Sequence, residues 1–566
     1  MEMKSPYEQK VWLKSYPPEV PSEVEIPEIS LCQAFDEATE RWKDKTAIIF
    51  YGNKISFREL RERVDRLATA LYDLGLRKGD VVALLLLNSP EHIVAFHALL
   101  KVGAIVTPIS PFYVSPEIKH QIEDSGAESI ICQDILWEGV EKAEVKLKNV
   151  ILTNIAESLP SFKKIMGKSI LRGVYEKMAA PPSSTFRREG FYQLRELIKK
   201  YPPNPPKIEI SPEEDPVQLP YTGGTTGLPK GVVLTHYNEI ADVARFQAFF
   251  PFLEDIKEVF VSYQPFYHVM GHLFGVILPI MKGWTQVVLT APILDDIINS
   301  MINCKATFFA GAPTIYEMLK DYDKTDRVKW QNLKLILSGA DALHEATAED
   351  WKERTKTMLH DGYGATETGF CTFSPLGKVK IGSIGIPFPS SMAAILDPDK
   401  DEFLPVGETG EIAIRNPSVM KGYWKNPKAT EEVQAVINGE TWLRSGDLGM
   451  MDEDGYFYIY DRKRDLIKYK GYRIYAREVE EAIKTHPKVK AVGVIGVRDK
   501  SVGENVKAFV VLETEARGRV SEAEIVEYCR DKIAYYKLPR IVEFVGEIPK
   551  TDVGKVSRRE LREMEI

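Results

Sequence analysis

Cysteine is scarce in this sequence: there are five in 566 residues. They lie far apart, at positions 32, 132, 304, 371 and 529, without a CxxC pair or a nearby histidine partner. An odd number at such spacing argues against a disulfide framework and provides no zinc-ligand pattern. We therefore interpret the cysteines as reduced thiols in the core.

The chain also lacks an excess of positive charge and any long apolar run. Lysine and arginine number 74 against 82 aspartates and glutamates, a net charge of −8, which argues against a general nucleic-acid binder. No apolar run approaches the ~20 residues that span a bilayer. Residues 1–27 are charged and contain prolines, unlike a secretory signal. We expect a cytoplasmic protein that binds no nucleic acid.

The fold class follows from the pattern of residues 80–108. Residues 80–87 form a continuous apolar run, as expected for a parallel strand that is covered on both faces. Ser89 and Pro90 then provide a helix cap and a first-turn proline, and helical spacing continues to Gly103. A second apolar strand follows at 104–108. This strand-helix-strand unit predicts an α/β fold.

The length predicts about three or four lobes. Two α/β lobes are expected at about 28–210 and 211–362, and a small β-rich lobe at 363–463, where short strands are broken by Gly and Pro. Together these lobes form a large N-terminal part, 1–463. The helix and strand pattern that resumes afterwards predicts a separate, mobile α+β C-terminal domain at 464–566.

A segment rich in glycine and threonine lies at 221–231, between short apolar strands at 217–219 and 232–236. Its glycines allow positive φ, so several N–H groups and hydroxyls can face one anion, and a lysine adds a charge. It is not a Walker loop, because the last glycine and the lysine are separated by Leu-Pro and followed by a strand. The candidate polyphosphate-binding residues are Thr222, Gly223, Gly224, Thr225, Thr226, Gly227 and Lys230.

Three further clusters each have an ordinary structural interpretation on their own. Residues 361–368 (DGYGATET) follow a charged helical stretch and suggest a turn with a carboxylate. Residues 445–448 (SGDL) suggest a tight turn in which the aspartate caps its own backbone. Residues 549–556 (PKTDVGKV) suggest a polar turn with solvated lysines.

A fourth cluster, residues 264–272, places two histidines four residues apart. Such a pair could bind a metal on a helix, but Pro265 and Gly271 argue against a long regular helix, and no third ligand is evident. A zinc site is therefore not predicted. His272 is interpreted as a pocket or core residue.

Taken together, these segments resemble the ordered motifs of the adenylate-forming superfamily, which comprises acyl-CoA synthetases, luciferases and peptide-synthetase adenylation domains. The resemblance covers nearly the whole chain. Gly223, where many members have serine, and the opening residues 11–21 are most similar to fatty acyl-CoA ligases. Two departures are Arg464, at the hinge position where Asp or Lys is usual, and Ala476, where proline is common. Arg464 is the expected pivot of the C-terminal domain.

The resemblance implies roles for individual residues. Tyr363 is expected to stack on adenine, and Asp447 to accept from the ribose hydroxyls with Arg462 in support. The implied catalytic residues are Lys555 (rather than Lys550), His268 in the carboxylate pocket, Thr366 at the α-phosphate, and Glu367, which also binds Mg²⁺. The other implied nucleotide- or CoA-binding residues are Gly339, Ala340, Asp361, Gly362, Gly364 and Gly471.

The implied activity is ATP- and Mg²⁺-dependent, AMP-forming ligation of a carboxylic acid to coenzyme A through an acyl-adenylate. A medium- or long-chain fatty acid is the expected substrate. A short-chain, hydroxylated or aromatic acid is the alternative within the family. Outside the family, a phosphotransferase or a non-catalytic nucleotide sensor could use the same loop. The expected assembly is a monomer or a homodimer.

Residues 161–178 combine apolar residues at helical spacing with four lysines and an arginine. One interpretation is a helix packed on its own lobe with a solvated basic face. The other is a peripheral helix that contacts an anionic membrane surface. Peripheral membrane contact is therefore one of the two interpretations that the sequence leaves open.

Overall fold

The computed structural model describes residues 5–160, 188–222, 228–470, 472–499, 501–550 and 556–565, with only the backbone of Arg464 and Arg473. The helix expected at 161–178 lies outside these residues. So do the following predicted site residues: Gly223, Gly224, Thr225, Thr226, Gly227, Gly471 and Lys555.

The first part of the chain alternates strands and helices. Up to residue 222 its main elements are a 3-10 helix (Val11–Ser15), α1 (Leu31–Arg41), β1 (Thr46–Phe50), β2 (Asn53–Ser56), α2 (Phe57–Asp73), β3 (Val81–Leu85), α3 (Pro90–Lys101), β4 (Ile105–Pro108), α4 (Ser115–Ser125), β5 (Ser129–Gln133), α5 (Trp137–Lys142), β6 (Asn149–Thr153), β7 (Phe191–Gln193), α6 (Leu194–Lys200), β8 (Pro216–Gln218) and β9 (Tyr221–Thr222).

The alternation continues to residue 373 and then gives way to strands. These elements are β10 (Lys230–Thr235), α7 (His236–Phe249), β11 (Val259–Ser262), α8 (Val269–His272), α9 (Leu278–Met281), β12 (Thr285–Val288), α10 (Leu294–Asn303), β13 (Phe308–Gly311), α11 (Pro313–Lys320), β14 (Leu335–Ser338), α12 (Glu345–Thr355), β15 (His360–Ala365), β16 (Gly369–Phe373), β17 (Ile386–Pro387), β18 (Met392–Leu396), β19 (Gly410–Arg415), β20 (Gly422–Tyr423), α13 (Pro427–Glu432), β21 (Gln434–Ile437), β22 (Glu440–Met451) and β23 (Phe457–Arg462).

The C-terminal part mixes helices with a small sheet. Its elements are β24 (Ile467–Tyr469), β25 (Tyr472–Ile474), α14 (Ala476–Lys484), β26 (Val489–Asp499), β27 (Gly503–Leu512), α15 (Glu522–Cys529), β28 (Ile541–Phe544) and α16 (Arg558–Glu563).

The predicted strand-helix-strand unit is present as β3–α3–β4. The hydroxyl of Ser89 accepts a hydrogen bond from the backbone of His92 and caps α3, with Pro90 in the first turn. β3 pairs in parallel with β4 and β5, and every residue of β3 is buried. The prediction of an α/β class is therefore confirmed.

Two large sheets form the N-terminal part. The first has the strand order β17-β16-β15-β14-β13-β11-β12-β1-β2, with parallel pairing from β15 through β1. The second has the order β20-β10-β8-β4-β3-β5-β6-β7, and β9 pairs with β10. The candidate site lies where loops and strand ends of both sheets meet.

The sheets exchange strands across the predicted lobe boundary at residue 210. The hairpin β1–β2, from the first predicted lobe, joins the first sheet through β12, whereas β8 and β10 join the second sheet. The sheets thus differ from lobes that are contiguous in sequence, because the pairing of β1 with β12 is non-local. The division into folding units stays a prediction.

The β-rich lobe and the C-terminal part each have a small sheet. β18-β19-β22-β21 with β23 forms the first, and β25-β24-β27-β26 with β28 forms the second. The C-terminal sheet has its own apolar core, which includes Ile474, Val494 and Val510. Among the described residues, no helix has the length and apolar composition needed to cross a bilayer.

Candidate active site

The residues at the two ends of the glycine-rich segment form the β9–β10 hairpin, where the sequence predicts loop. Thr222 on β9 lies opposite Lys230 on β10, and His236 begins α7 instead of ending a strand. Antiparallel pairing brings the Thr222 hydroxyl and the Lys230 ammonium to the same end of the hairpin. Both residues line one cavity.

Glu367 connects this hairpin to β20. Its Oε1 accepts hydrogen bonds from the hydroxyls of Thr222 and Tyr423, each at 3.1 Å. The ammonium of Lys230 lies over the Tyr423 ring, 4.8 Å from its centroid. A carboxylate, a cation and two hydroxyls therefore face the same space.

One polar group at the site consists of Tyr363, Asp447 and Arg462. In the sequence, only the family resemblance links these three residues. The Tyr363 hydroxyl donates to Oδ2 of Asp447 at 2.6 Å, and Nε of Arg462 lies 2.7 Å from Oδ1. Asp447 is 3% exposed, and its negative charge raises the pKa of the Arg462 guanidinium. Tyr363 and Arg462 line the cavity, whereas Asp447 contacts both from outside that lining.

Two predicted turns are wrong in part. Residues 361–365 belong to β15, and only residues 366–368, between β15 and β16, form a turn. Residues 445–448 lie inside the long strand β22, where one residue of β19 (412) faces three of β22 (445–447) and Gly446 has a φ of 75°. The extra residues form a bulge, and bulges of this kind redirect a side chain. A tight turn would also need a glycine with positive φ, which explains why the sequence suggests a turn at residues 445–448.

Ser338 and Asp361 are neighbours at one edge of the cavity, and of the two only Ser338 lines it. Oδ1 of Asp361 and the hydroxyl oxygen of Ser338 are buried, and neither has a hydrogen-bond partner among the described residues. Burial raises the pKa of Asp361 to about 7, and the nearby Ser338 hydroxyl and Arg477 guanidinium offset only part of that effect. Gly339, Ala340, Gly362 and Gly364 line the cavity beside them. The Ser338 hydroxyl and the glycine-rich backbone at this edge suit a planar group with hydrogen-bonding atoms, such as a nucleobase.

His268 lines the cavity and precedes a helical run that supplies part of its apolar lining. Its Nδ1 accepts from the backbone of Met270 and caps a helical run that starts at Val269. That run changes from α8 to a π-helical segment, Leu273–Ile277, and then to α9. The apolar lining comprises Val269, Met270, Leu273, Phe274, Phe370 and Phe373.

Gly271 lies inside the four-residue helix α8, and the π-helical segment after it means that this region is not one long regular helix, as the sequence predicts. A Cβ at this position would lie 2.0 Å from the carbonyl oxygen of Pro265, so the close approach requires glycine. His272 is 3% exposed and packs against Phe96 as a core residue. Burial holds the pKa of His272 well below its usual range.

The cavity has a volume of about 520 Å³ and is a single space. It contains the predicted residues Thr222, Lys230, His268, Gly339, Ala340, Gly362, Tyr363, Gly364, Thr366, Glu367 and Arg462. Sequence reasoning missed Asp242 and Tyr423, which also line it. Asp242 forms a 2.6 Å ion pair with the buried Arg245. Neither Asp242 nor Tyr423 belongs to a sequence motif that could have revealed its place in the site.

Magnesium is the metal that the donor atoms favour. Among the described side chains, no group of three His, Cys, Asp or Glu residues forms a metal-binding cluster. Mg²⁺ commonly binds one or two carboxylates and completes its coordination with water and substrate phosphates. Glu367, beside the Thr222 hydroxyl, fits that pattern as the protein ligand.

Two family models match the chain. The AMP-binding enzyme model covers residues 35–424, and the AMP-binding enzyme C-terminal domain model covers residues 478–555. The chain belongs to the AMP-binding enzyme family. This membership agrees with the motif order and with the position of the cavity between the two large sheets and the β-rich lobe.

Sequence and structure matches to known proteins cover nearly the whole length of this AMP-binding enzyme. A long-chain-fatty-acid–CoA ligase of Bacillus subtilis (strain 168) is 37% identical, and the match covers 98% of each chain. ATP-bound MatB from Rhodopseudomonas palustris is 26% identical with a TM-score of 0.81, covering 95% of this chain and 99% of MatB. The apo structure of MatB, at 27% identity and the same coverage, gives 0.72. The TM-score is thus higher against the ATP-bound structure of MatB than against the apo structure.

Proposed function

We propose that this protein is an ATP-dependent, AMP-forming fatty acid–CoA ligase. One observation carries the proposal: a single cavity is lined both by the charged residues Lys230 and Glu367 and by apolar residues such as Leu273 and Phe274. His268 lines the same cavity, and the family resemblance assigns it to the carboxylate pocket. The names of the full-length relatives support a long-chain acid as the substrate.

The first half-reaction forms an acyl-adenylate. A carboxylate oxygen of the acid attacks the α-phosphorus of ATP, an O–P bond forms, and the bond to the pyrophosphate oxygen breaks. No protein nucleophile is needed, because positioning and charge supply the rate enhancement. Lys230 and Thr366 provide a cation and a hydroxyl for the phosphate oxygens, and Mg²⁺ at Glu367 would neutralise phosphate charge.

The second half-reaction transfers the acyl group to coenzyme A. The thiol sulfur attacks the acyl carbon, a C–S bond forms, AMP leaves with the electron pair of the broken C–O bond, and the thiol proton passes to solvent. Residues 468–472 resemble the family loop that guides pantetheine. For residues 468–472 to reach the cavity, the C-terminal domain must rotate about the junction near Arg464, as hinged domains do.

A panel of carboxylic acids with ATP and CoA, followed by AMP release, tests the proposal. We expect kcat/KM to be highest for long-chain fatty acids, and acid-dependent exchange of pyrophosphate into ATP. A phosphotransferase or a nucleotide sensor would show no such exchange. A higher kcat/KM for short-chain, hydroxylated or aromatic acids would replace the fatty acid with that class and keep the reaction.

The pKa of Asp361 predicts how the KM for ATP depends on pH. Its buried carboxylate has a pKa of about 7 and is therefore increasingly protonated below neutral pH. The ionised carboxylate interacts more favourably with the neighbouring Ser338 hydroxyl, which lines the cavity at the proposed nucleobase edge. We expect KM for ATP to rise as the pH falls from 8 to 6, by at most about tenfold over this range. Asp361→Asn removes the titrating group and should flatten this profile; an unchanged slope would contradict the assignment.

A further inference from the structure

Charged side chains bridge the N-terminal part and the C-terminal domain. Nζ of Lys484, at the end of α14, lies 3.1 Å from Oε1 of Glu317 on α11. One turn earlier on α14, Oε1 of Glu481 lies 3.9 Å from Nδ1 of His344, just before α12. Both contacts join elements on opposite sides of the junction at residues 463–464. They can exist only in arrangements that keep α14 against α11.

The ion pair carries most of the charge attraction at this contact. Burial raises the pKa of Glu317, but Lys484 and the more distant Lys550 outweigh burial and lower it overall. Glu317 is therefore ionised at neutral pH. Burial, together with Lys484 and Arg477, lowers the pKa of His344 to about 4, so that its contact with Glu481 is not an ion pair at neutral pH.

Two features indicate which half-reaction this arrangement serves. Lys550, which lies beside the segment 551–555 that carries the adenylation motif, is close enough to Glu317 to lower its pKa. By contrast, Tyr472 of the loop that resembles the pantetheine guide is 54% exposed, and the backbone of Lys468 bonds to Glu504 of its own domain. The arrangement therefore places Lys550, and not the described residues of the pantetheine loop, near the N-terminal part.

We propose that Glu317 and Lys484 are positioning residues that stabilise the domain arrangement for acyl-adenylate formation. The pair contacts no reacting atom, and turning the C-terminal domain for thioester formation breaks it. The higher TM-score against ATP-bound MatB than against apo MatB agrees with this assignment. The inference rests on the proposed function, because it concerns the two half-reactions of a CoA ligase.

The size of the effect follows from the exposure of the pair. The side chains of Glu317 and Lys484 are 32% and 33% exposed, so solvent screens part of their attraction. Such a pair changes an equilibrium by up to about fivefold, and reversing one charge adds repulsion of similar size. Each charge reversal should therefore slow adenylate formation by about three- to tenfold.

Charge reversal and charge exchange provide the test. Glu317→Lys and Lys484→Glu are compared with the double variant in pyrophosphate exchange and in thioester formation from supplied acyl-adenylate. We expect each single variant to slow only the exchange, and the double variant to recover at least half of the lost rate. Recovery by exchange isolates the pairwise interaction from other effects of each change.

Lys320→Gln is the matched control, because Lys320 also lies on α11 but pairs at 2.8 Å with Asp350 within the N-terminal part. It should leave both half-reactions unchanged. Equal loss in both half-reactions without recovery in the double variant, or no loss in either single variant, overturns the inference. Absence of acid-dependent exchange in the wild-type protein would instead overturn the proposed function.

Discussion

Replacing Lys555 with alanine is expected to slow acyl-adenylate formation by roughly 10²–10³-fold, the scale of one lost electrostatic donor. The α-phosphorus gains negative charge as the carboxylate attacks, and a positioned ammonium stabilises that charge. Lys555 matches the second lysine of the family's last motif. The residues on either side of the segment, Lys550 and Val556, pair in an antiparallel bridge that holds its two ends together.

The measurement separates the two half-reactions. Pyrophosphate exchange reports the first, and thioester formation from supplied acyl-adenylate reports the second, which should stay near the wild-type rate. Lys550→Ala is the control, because Lys550 lies in the same motif but close to Glu317, and it should cost less than about tenfold. Comparable loss in both half-reactions for Lys555→Ala would contradict the assignment.

Local sequence patterns predict the elements of this fold but not their assembly. The apolar run of β3, the Ser89 cap of α3 and the second strand β4 are all found where the sequence places them. The pairing of β1 with β12 is not predictable in this way. It joins Ile48 to Gln286, and nothing in either segment alone specifies the other.

The motifs predict which residues share the site, whereas the structure explains how they meet. Tyr363 and Asp447 are 84 residues apart and form a hydrogen bond because a bulge in β22 redirects the aspartate. Tyr423 escapes prediction because a tyrosine in a short strand carries no local signal. Its role depends entirely on its contacts with Glu367 and Lys230.

Glu367→Gln should slow acyl-adenylate formation by roughly 10²–10³-fold and raise the Mg²⁺ concentration needed for half-maximal exchange. Glutamine retains the shape and one acceptor oxygen, so the hydroxyls of Thr222 and Tyr423 keep a partner. What it loses is the negative charge that binds the cation. The backbone of Glu367, which accepts from Met420 at 2.8 Å, is unaffected.

Tyr423→Phe provides the matched control for that change. It removes one hydrogen bond to Glu367 but leaves the carboxylate charged, so the exchange rate should fall by less than about tenfold and the Mg²⁺ dependence should not shift. Titrating pyrophosphate exchange with Mg²⁺ for both variants distinguishes charge from geometry. If Glu367→Gln kept the wild-type Mg²⁺ dependence, the metal would bind elsewhere, and Glu367 would serve only to hold the hairpin of Thr222 against β20.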